Sequence, residues 1–345
     1  MRMKTTPRRG RGNRVIPAGL VRCIAAVAVV AGGVMGTGCI LETSTPGNLV
    51  PATAEENPDL PSVRITVAGH ERTVHVKTFG NPASPELFVL PGSISDLRAY
   101  LPFECFADRY HVVMWDLRGN GLSERVTRDE LAVGHVIEEI RAMKDIYSPA
   151  APITLMGHSW SAIFAARYAG VHPKDIDQLI LMEPFGLKDE FMREVGQTLN
   201  LFTEGYLDMM YSRSYLTARD HETLDYAMLA TLESGVRDFH CGDKPIPPWP
   251  IRRAGGFALI VWEASILSGT VYDYDFTEGL ASFPREVLLV GSSCSPIGYR
   301  FQERYNATVF SDARVLKIEN AGHRIVTEQF AVLRAGIQDY LEEYP

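Results

Sequence analysis

Ser159 stands in Gly157-His158-Ser159-Trp160-Ser161, after the apolar run Ile153-Thr154-Leu155-Met156 and before the Ala-rich stretch from Ala162 to Ala169. A strand that turns sharply into a helix presents a serine hydroxyl at the top of a sheet, and small residues two before and two after the serine relieve crowding at the turn. Gly157 meets that requirement, whereas Ser161 adds a side chain where a second glycine would stand. A serine so placed can attack an acyl carbon, given a base, a group that orients the base, and donors for the oxyanion. The bland alternative is an ordinary strand-to-helix turn that carries a polar residue.

Chain order supplies candidates for each partner. Among nine histidines, His323 has the address of a base: it ends Asn320-Ala321-Gly322-His323, after the strand-like Ala313 to Ile318 and before a helix expected over Glu328 to Tyr344. His70, His75, His111, His135, His172, His221 and His240 fall in surface or core patterns, and His158 is the nucleophile's own neighbour. Leu87 to Leu90, followed by Pro91-Gly92-Ser93, predicts a buried strand running into a tight turn. That turn brings the backbone N–H of Ser93 toward the nucleophile, where it and the N–H of Trp160 make a two-donor oxyanion hole. Val112 to Trp115 predicts another strand, ending in the loop Asp116-Leu117-Arg118-Gly119-Asn120-Gly121. Asp116 and Arg118 are expected to pair there and to serve the fold, not the chemistry.

These motifs together resemble an α/β-hydrolase, and within that superfamily the chain is most similar to the proline-iminopeptidase-like branch of serine hydrolases. The resemblance rests on the Pro91-Gly92 turn, the Trp115 to Gly121 loop, the Gly157 to Trp160 elbow and the late Gly322-His323, and it spans roughly Val63 to Tyr344. It implies an α/β fold: a mostly parallel central sheet, helices on both faces, and a helical cap inserted after the sixth strand. In most relatives the carboxylate follows the seventh strand, but here Glu286 to Gly291 is followed by Ser292-Ser293-Cys294-Ser295, without an acid. The sixth strand, Asp177 to Met182, ends in Glu183, and some members of the superfamily, haloalkane dehalogenases among them, keep their acid at this place. Glu183 is therefore the expected acid, preserving the chain order Ser, acid, His; Asp312 and Glu319 are the other contenders. Cys294 is a poor nucleophile candidate because it follows the wrong strand, and dehalogenation calls for Asp where this chain has Ser159.

Strand-helix alternation runs from Val63 to Glu183 and resumes at Glu286. The interval Phe185 to Phe283 has helical patterning with an aromatic and Met stripe (Phe202, Tyr206, Met209, Met210) that reads mainly as cap core. Cap carboxylates such as Glu204, Asp208, Glu233 or Glu263 could hold a substrate ammonium, although acidic residues on exposed helices are usually just solvated. The core thus divides into 61–184 and 285–345, with the cap at 185–284.

Residues 1–38 hold seven Lys or Arg, no acidic residue, an apolar segment from Ala25 to Val34, and then Gly36-Thr37-Gly38-Cys39. This reads as an export signal, with Cys39 resembling the lipidated first residue of a bacterial lipoprotein. Residues 39–60, rich in Thr, Pro, Ala and Glu, read as a flexible tether. Loss of the leader leaves 27 of the 34 Lys and Arg against 42 Asp and Glu, a net charge near −15 that argues against nucleic-acid partners. Cys105, Cys241 and Cys294 allow one disulfide outside the cytoplasm, with the pairing undetermined. The expectation is a membrane-anchored serine hydrolase of a small ester, amide or short peptide, needing no cofactor and no metal. The alternative is a non-catalytic hydrolase-like binding protein at the cell surface.

Overall fold

The computed structural model describes residues 52–92, 95–191, 240–242, 256 and 274–343. They build one eight-stranded sheet from β1 (Ser62–Val67), β2 (His70–Phe79), β3 (Glu86–Leu90), β4 (His111–Trp115), β5 (Ile153–His158), β6 (Ile176–Met182), β7 (Val287–Ser292) and β8 (Ala313–Ile318). The spatial order is β1-β2-β4-β3-β5-β6-β7-β8; β1, β2 and β4 pair antiparallel and every later pairing is parallel.

Strands β3 to β7 are nearly continuous apolar runs because both faces of the sheet are covered. Phe88, Leu90, Trp115, Leu155 and Leu181 pack on one face with α1 (Val133–Tyr147) and α2 (Trp160–Val171). Leu87, Val89, Met114, Met156 and Met182 face the other layer, made by a 3₁₀ segment (Leu97–Phe106) and the C-terminal helices. A short helix, α3 (Tyr299–Arg304), joins β7 to β8, and the chain ends in α4 (Ile325–Glu328) and α5 (Phe330–Glu343), so the single terminal helix expected from sequence is two.

Strand β3 lies between β4 and β5, so the chain leaves it toward one side and returns on the other. A parallel sheet opens a crevice where the strand order reverses in this way, at the carboxyl ends of the strands. The turn after β3 and the elbow after β5 both border that crevice.

The Asp116 loop differs from the sequence expectation. Asp116 accepts the backbone N–H groups of Leu97 and Leu122 at 2.8 and 2.9 Å, while Arg118 pairs with Glu139 of α1 at 3.0 Å. Glu139 also accepts the Trp115 indole N–H at 3.0 Å, so Arg118 is satisfied against α1 while Asp116 is held by backbone N–H groups. Gly121 has φ +53, and a Cβ there would fall 2.1 Å from the Asp116 carboxyl, which is why glycine occupies this point.

Order also begins earlier than a free tether to residue 60 would suggest. Thr53 N–H donates to Glu56 at 2.8 Å and Ala54 N–H to the Leu122 carbonyl at 2.7 Å, with Thr53 and Ala54 buried. The leader and Cys39 lie outside the described residues, as does most of the cap, including its stripe and its candidate carboxylates. The insertion's two ends pair with each other: Asp189 N–H donates to Tyr274 O and Phe276 N–H to Leu187 O, both at 2.9 Å. No described helix is long and apolar enough to cross a membrane.

Candidate active site

The elbow forms because β5 runs straight into α2 with Ser159 as the single residue between them. Ser159 has φ 58 and ψ −128, a backbone conformation costly for a residue with a side chain. It is held by its own N–H donating to Met182 O at 2.9 Å, across to β6. The turn is tight enough that a Cβ on Gly157 would come within 2.6 Å of the Ser161 carbonyl. Trp160 opens α2, so its N–H has no acceptor inside the helix and is available to a developing oxyanion. Ser161, which sequence alone leaves as a departure from pattern, is fully buried and donates its hydroxyl to the Pro91 carbonyl. It fastens the elbow to the turn after β3. Ser93 lies outside the described residues; beside it, Ser95 N–H and Oγ both donate to Gly92 O, at 3.1 and 2.9 Å, closing that turn on itself.

The three residues expected to act together do meet. His323 Nε2 is 3.0 Å from Ser159 Oγ, and His323 Nδ1 is 2.7 Å from Glu183 Oε2. Glu183 is fully buried, directly after β6, with φ 40. Its backbone N–H donates to Val290 O at 2.8 Å, and its Oε1 accepts the backbone N–H of Ser292 at 2.6 Å. A buried carboxylate needs partners for its charge, and these are an imidazole N–H and a peptide N–H. The carboxylate beside His323 therefore comes from the end of β6 and is gripped by the end of β7, the place where the resemblance implies an acid and the chain has Ser292.

The rival candidates go elsewhere. Asp312 precedes β8, at the opposite strand end from His323, and its carbonyl accepts Val287 N–H. Glu319 forms a largely exposed ion pair with Lys317. Cys294 is joined to Cys241 in a disulfide with Cα atoms 5.1 Å apart, which removes it as a nucleophile and leaves Cys105 as the free thiol among the described residues.

A second layer behind these residues was not legible from spacing. His158 is buried, with Nε2 2.9 Å from the His323 carbonyl and Nδ1 2.6 Å from Tyr100 Oη. Burial, then the neighbouring His323, hold its pKa well below that of a free histidine, so it is neutral at physiological pH. A carbonyl can only accept, so Nε2 carries the proton and Nδ1 accepts from Tyr100. Tyr100 Oη in turn accepts Gly92 N–H at 2.8 Å. The result is one directed chain, Gly92 to Tyr100 to His158 to His323, tying the turn after β3 to the loop that carries His323. The only sequence signal was a polar residue ending an otherwise apolar buried strand, which must find partners. Aromatic rings complete the surroundings: Phe185 stands 5.9 Å from the His323 ring, edge-on, and Trp160 packs against Phe185 and Tyr274 at 5.9 and 5.7 Å.

Chemically, the arrangement is a hydroxyl beside an imidazole whose far nitrogen is fixed by a carboxylate, with a peptide N–H at the helix start. Those are the parts of general-base-assisted nucleophilic attack. A family model described as the alpha/beta hydrolase fold matches residues 90–239. No curated protein matches the sequence. Among solved structures, the chain is similar to a membrane phospholipase A described as a bacterial virulence factor (19% identity, TM-score 0.60, covering 94% of this chain and 98% of that one). It is also similar to a proline iminopeptidase of Mycobacterium smegmatis (17% identity, TM-score 0.57, 82% and 98% covered). A thermophilic esterase of Thermogutta terrifontis aligns comparably (15% identity, TM-score 0.56, 82% and 98% covered). Sheet order, elbow and comparisons agree: this chain has the alpha/beta hydrolase fold.

Proposed function

We propose that the protein is a serine hydrolase that cleaves a small ester or amide through an acyl-enzyme. The observation that carries the reading is the unbroken contact series Ser159 to His323 to Glu183, at 3.0 and 2.7 Å, at the mouth of the crevice. His323 takes the hydroxyl proton as Ser159 attacks the carbonyl carbon; Glu183 holds the Nδ1–H tautomer and stabilises the imidazolium. The N–H of Trp160, at the start of α2, receives the oxyanion. The imidazolium then protonates the leaving group, and a water activated by the same histidine releases the acyl group. The rival reading, a non-catalytic binding protein, drew its support from Ser161 and the missing acid after β7. Ser161 has a structural task and Glu183 occupies the acid's place, so both supports are weakened.

The solved structures of similar shape include ester-cleaving and peptide-cleaving enzymes, and Phe185 sets an apolar ring 5.9 Å from that of His323. The test is a panel of p-nitrophenyl acyl esters beside aminoacyl p-nitroanilides. Turnover of acyl esters with a preference for longer chains supports an esterase; turnover confined to substrates with a free α-amino group supports an aminopeptidase. No turnover in either series contradicts the proposal.

The same reading places the enzyme outside the cytoplasm, anchored at Cys39 by lipid. The basic-then-apolar leader supports export, and the Cys241–Cys294 disulfide suits an oxidising compartment.

A further inference from the structure

Among the described residues of the insertion, His240 and Cys241 are adjacent in sequence and both touch the loops around His323. Cys241 is bonded to Cys294, in the loop directly after β7. That loop is laced to the one carrying His323: Ser293 N–H donates to Ile318 O at 2.9 Å, Cys294 N–H to Ala321 O at 3.0 Å, and Asn320 N–H to Ser293 Oγ at 3.0 Å. The strand residue just before it, Ser292, supplies the N–H that grips Glu183. His240 is buried, with Nδ1 3.2 Å from Glu328 Oε1, while Glu328 Oε2 accepts the N–H of Gly322, the residue before the base, at 2.9 Å. One short piece of the insertion thus bears on the acid's grip through a covalent bond and on the base's loop through a carboxylate.

We infer that His240 and the Cys241–Cys294 disulfide are positioning elements for the Glu183–His323 pair, so that breaking the disulfide lowers turnover while leaving substrate binding nearly unchanged. The inference rests on the serine-hydrolase reading above. Neither element touches the reacting atoms. The disulfide acts through Ser292 to Ala321, and His240 acts through Glu328 and the Gly322 N–H. A dithiol reductant breaks the bond by exchange: two electrons and two protons pass to Cys241 and Cys294, which become thiols, and the reductant closes to its own disulfide. The loop after β7 then loses its covalent hold, and a displacement of the base by about 1 Å is enough to cost about 10²-fold in rate.

The test compares oxidised wild type, wild type reduced with dithiothreitol, the double variant Cys241→Ser/Cys294→Ser, His240→Ala and His240→Asn. Each is measured for kcat and KM on an activated ester and for the rate of fluorophosphonate labelling, at a temperature where circular dichroism shows all to be folded. The expected result is a fall in kcat and labelling rate of about 10- to 100-fold on reduction and in the double variant, with KM within about twofold. His240→Ala should fall in the same sense, and His240→Asn should recover most of the loss, because an asparagine amide can place a polar group where Nδ1 stands beside Glu328. Equal rates for oxidised, reduced and double-variant protein, or identical behaviour of the Ala and Asn variants, would overturn the inference while leaving the hydrolase reading intact. Oxidised wild type that neither labels nor turns over would overturn both.

Discussion

Replacing Glu183 by glutamine removes one charge and leaves the shape almost unchanged, yet the surroundings give the amide no good orientation. If its oxygen faces His323 Nδ1, its NH₂ meets the Ser292 N–H, which now sits 2.6 Å from the carboxylate. Two donors are then opposed in a fully buried place, at a cost of about 1–3 kcal/mol. If it turns round, the oxygen satisfies Ser292, and the NH₂ faces Nδ1 across the present 2.7 Å gap. That orientation selects the tautomer with the proton on Nε2, which cannot take a proton from Ser159. The first orientation is therefore disfavoured by about 5- to 150-fold, at roughly 1.4 kcal/mol per factor of ten. The imidazolium also loses the charge that stabilises it. Asp to Asn at the equivalent place in a serine protease costs about 10⁴ in kcat, and the same order is expected here. The assay is kcat/KM on an activated ester, with circular dichroism to show an intact fold and Glu183→Asp as a shorter carboxylate control. A Glu183→Gln enzyme within about threefold of wild type, beside an inactive His323→Ala, would refute the assignment.

Ser161→Ala removes the donor to the buried Pro91 carbonyl and should lower stability by about 1–3 kcal/mol, read in a urea melt, together with a fall in kcat as the turn after β3 loosens. Burial alone would raise the pKa of Glu130, but hydrogen bonds from Arg72 and Thr127 bring it down to about 2 from 4.5. A folded-state value below the unfolded one gives stability present above about pH 4.5 and lost as the pH falls toward 2. Urea melts from pH 6 to 2 should therefore be shallower in pH for Glu130→Gln than for wild type, and parallel curves would contradict the assignment. Cys39→Ser should release the protein from washed membranes, because stable attachment requires at least two acyl chains and the lipid would be the only anchor; persistent attachment would point to an uncleaved leader.

The parts of the site on strand ends could be read from residues because local pattern fixes them. An apolar run followed by Gly157-His158-Ser159 has few ways to turn, and a histidine just after the last strand can reach only the crevice. Glu183 was singled out through the resemblance, because some members of that superfamily keep their acid after the sixth strand and the usual place here holds Ser292. The rest depends on what the chain does far from itself. His158 to the His323 carbonyl spans 165 positions and Tyr100 to His158 spans 58, so no window of sequence displays the chain that joins them. The same is true of Arg118, whose nearest charge in sequence is Asp116 but whose partner is on α1. Of three equivalent-looking cysteines, only packing decides that Cys241 meets Cys294. His240 looked like any core histidine until Glu328 and the Gly322 N–H lay beside it.

The central claim is that Ser159 is an activated nucleophile, and reaction with a fluorophosphonate probe tests it most directly. The probe phosphonylates a serine only where a base withdraws its proton and donors receive the charge. Intact protein should label stoichiometrically, with the adduct mapping to the peptide that contains Ser159, and Ser159→Ala should not label although its circular dichroism and melting temperature match wild type. Undiminished labelling of Ser159→Ala, or a folded wild type that stays unlabelled, would contradict the account.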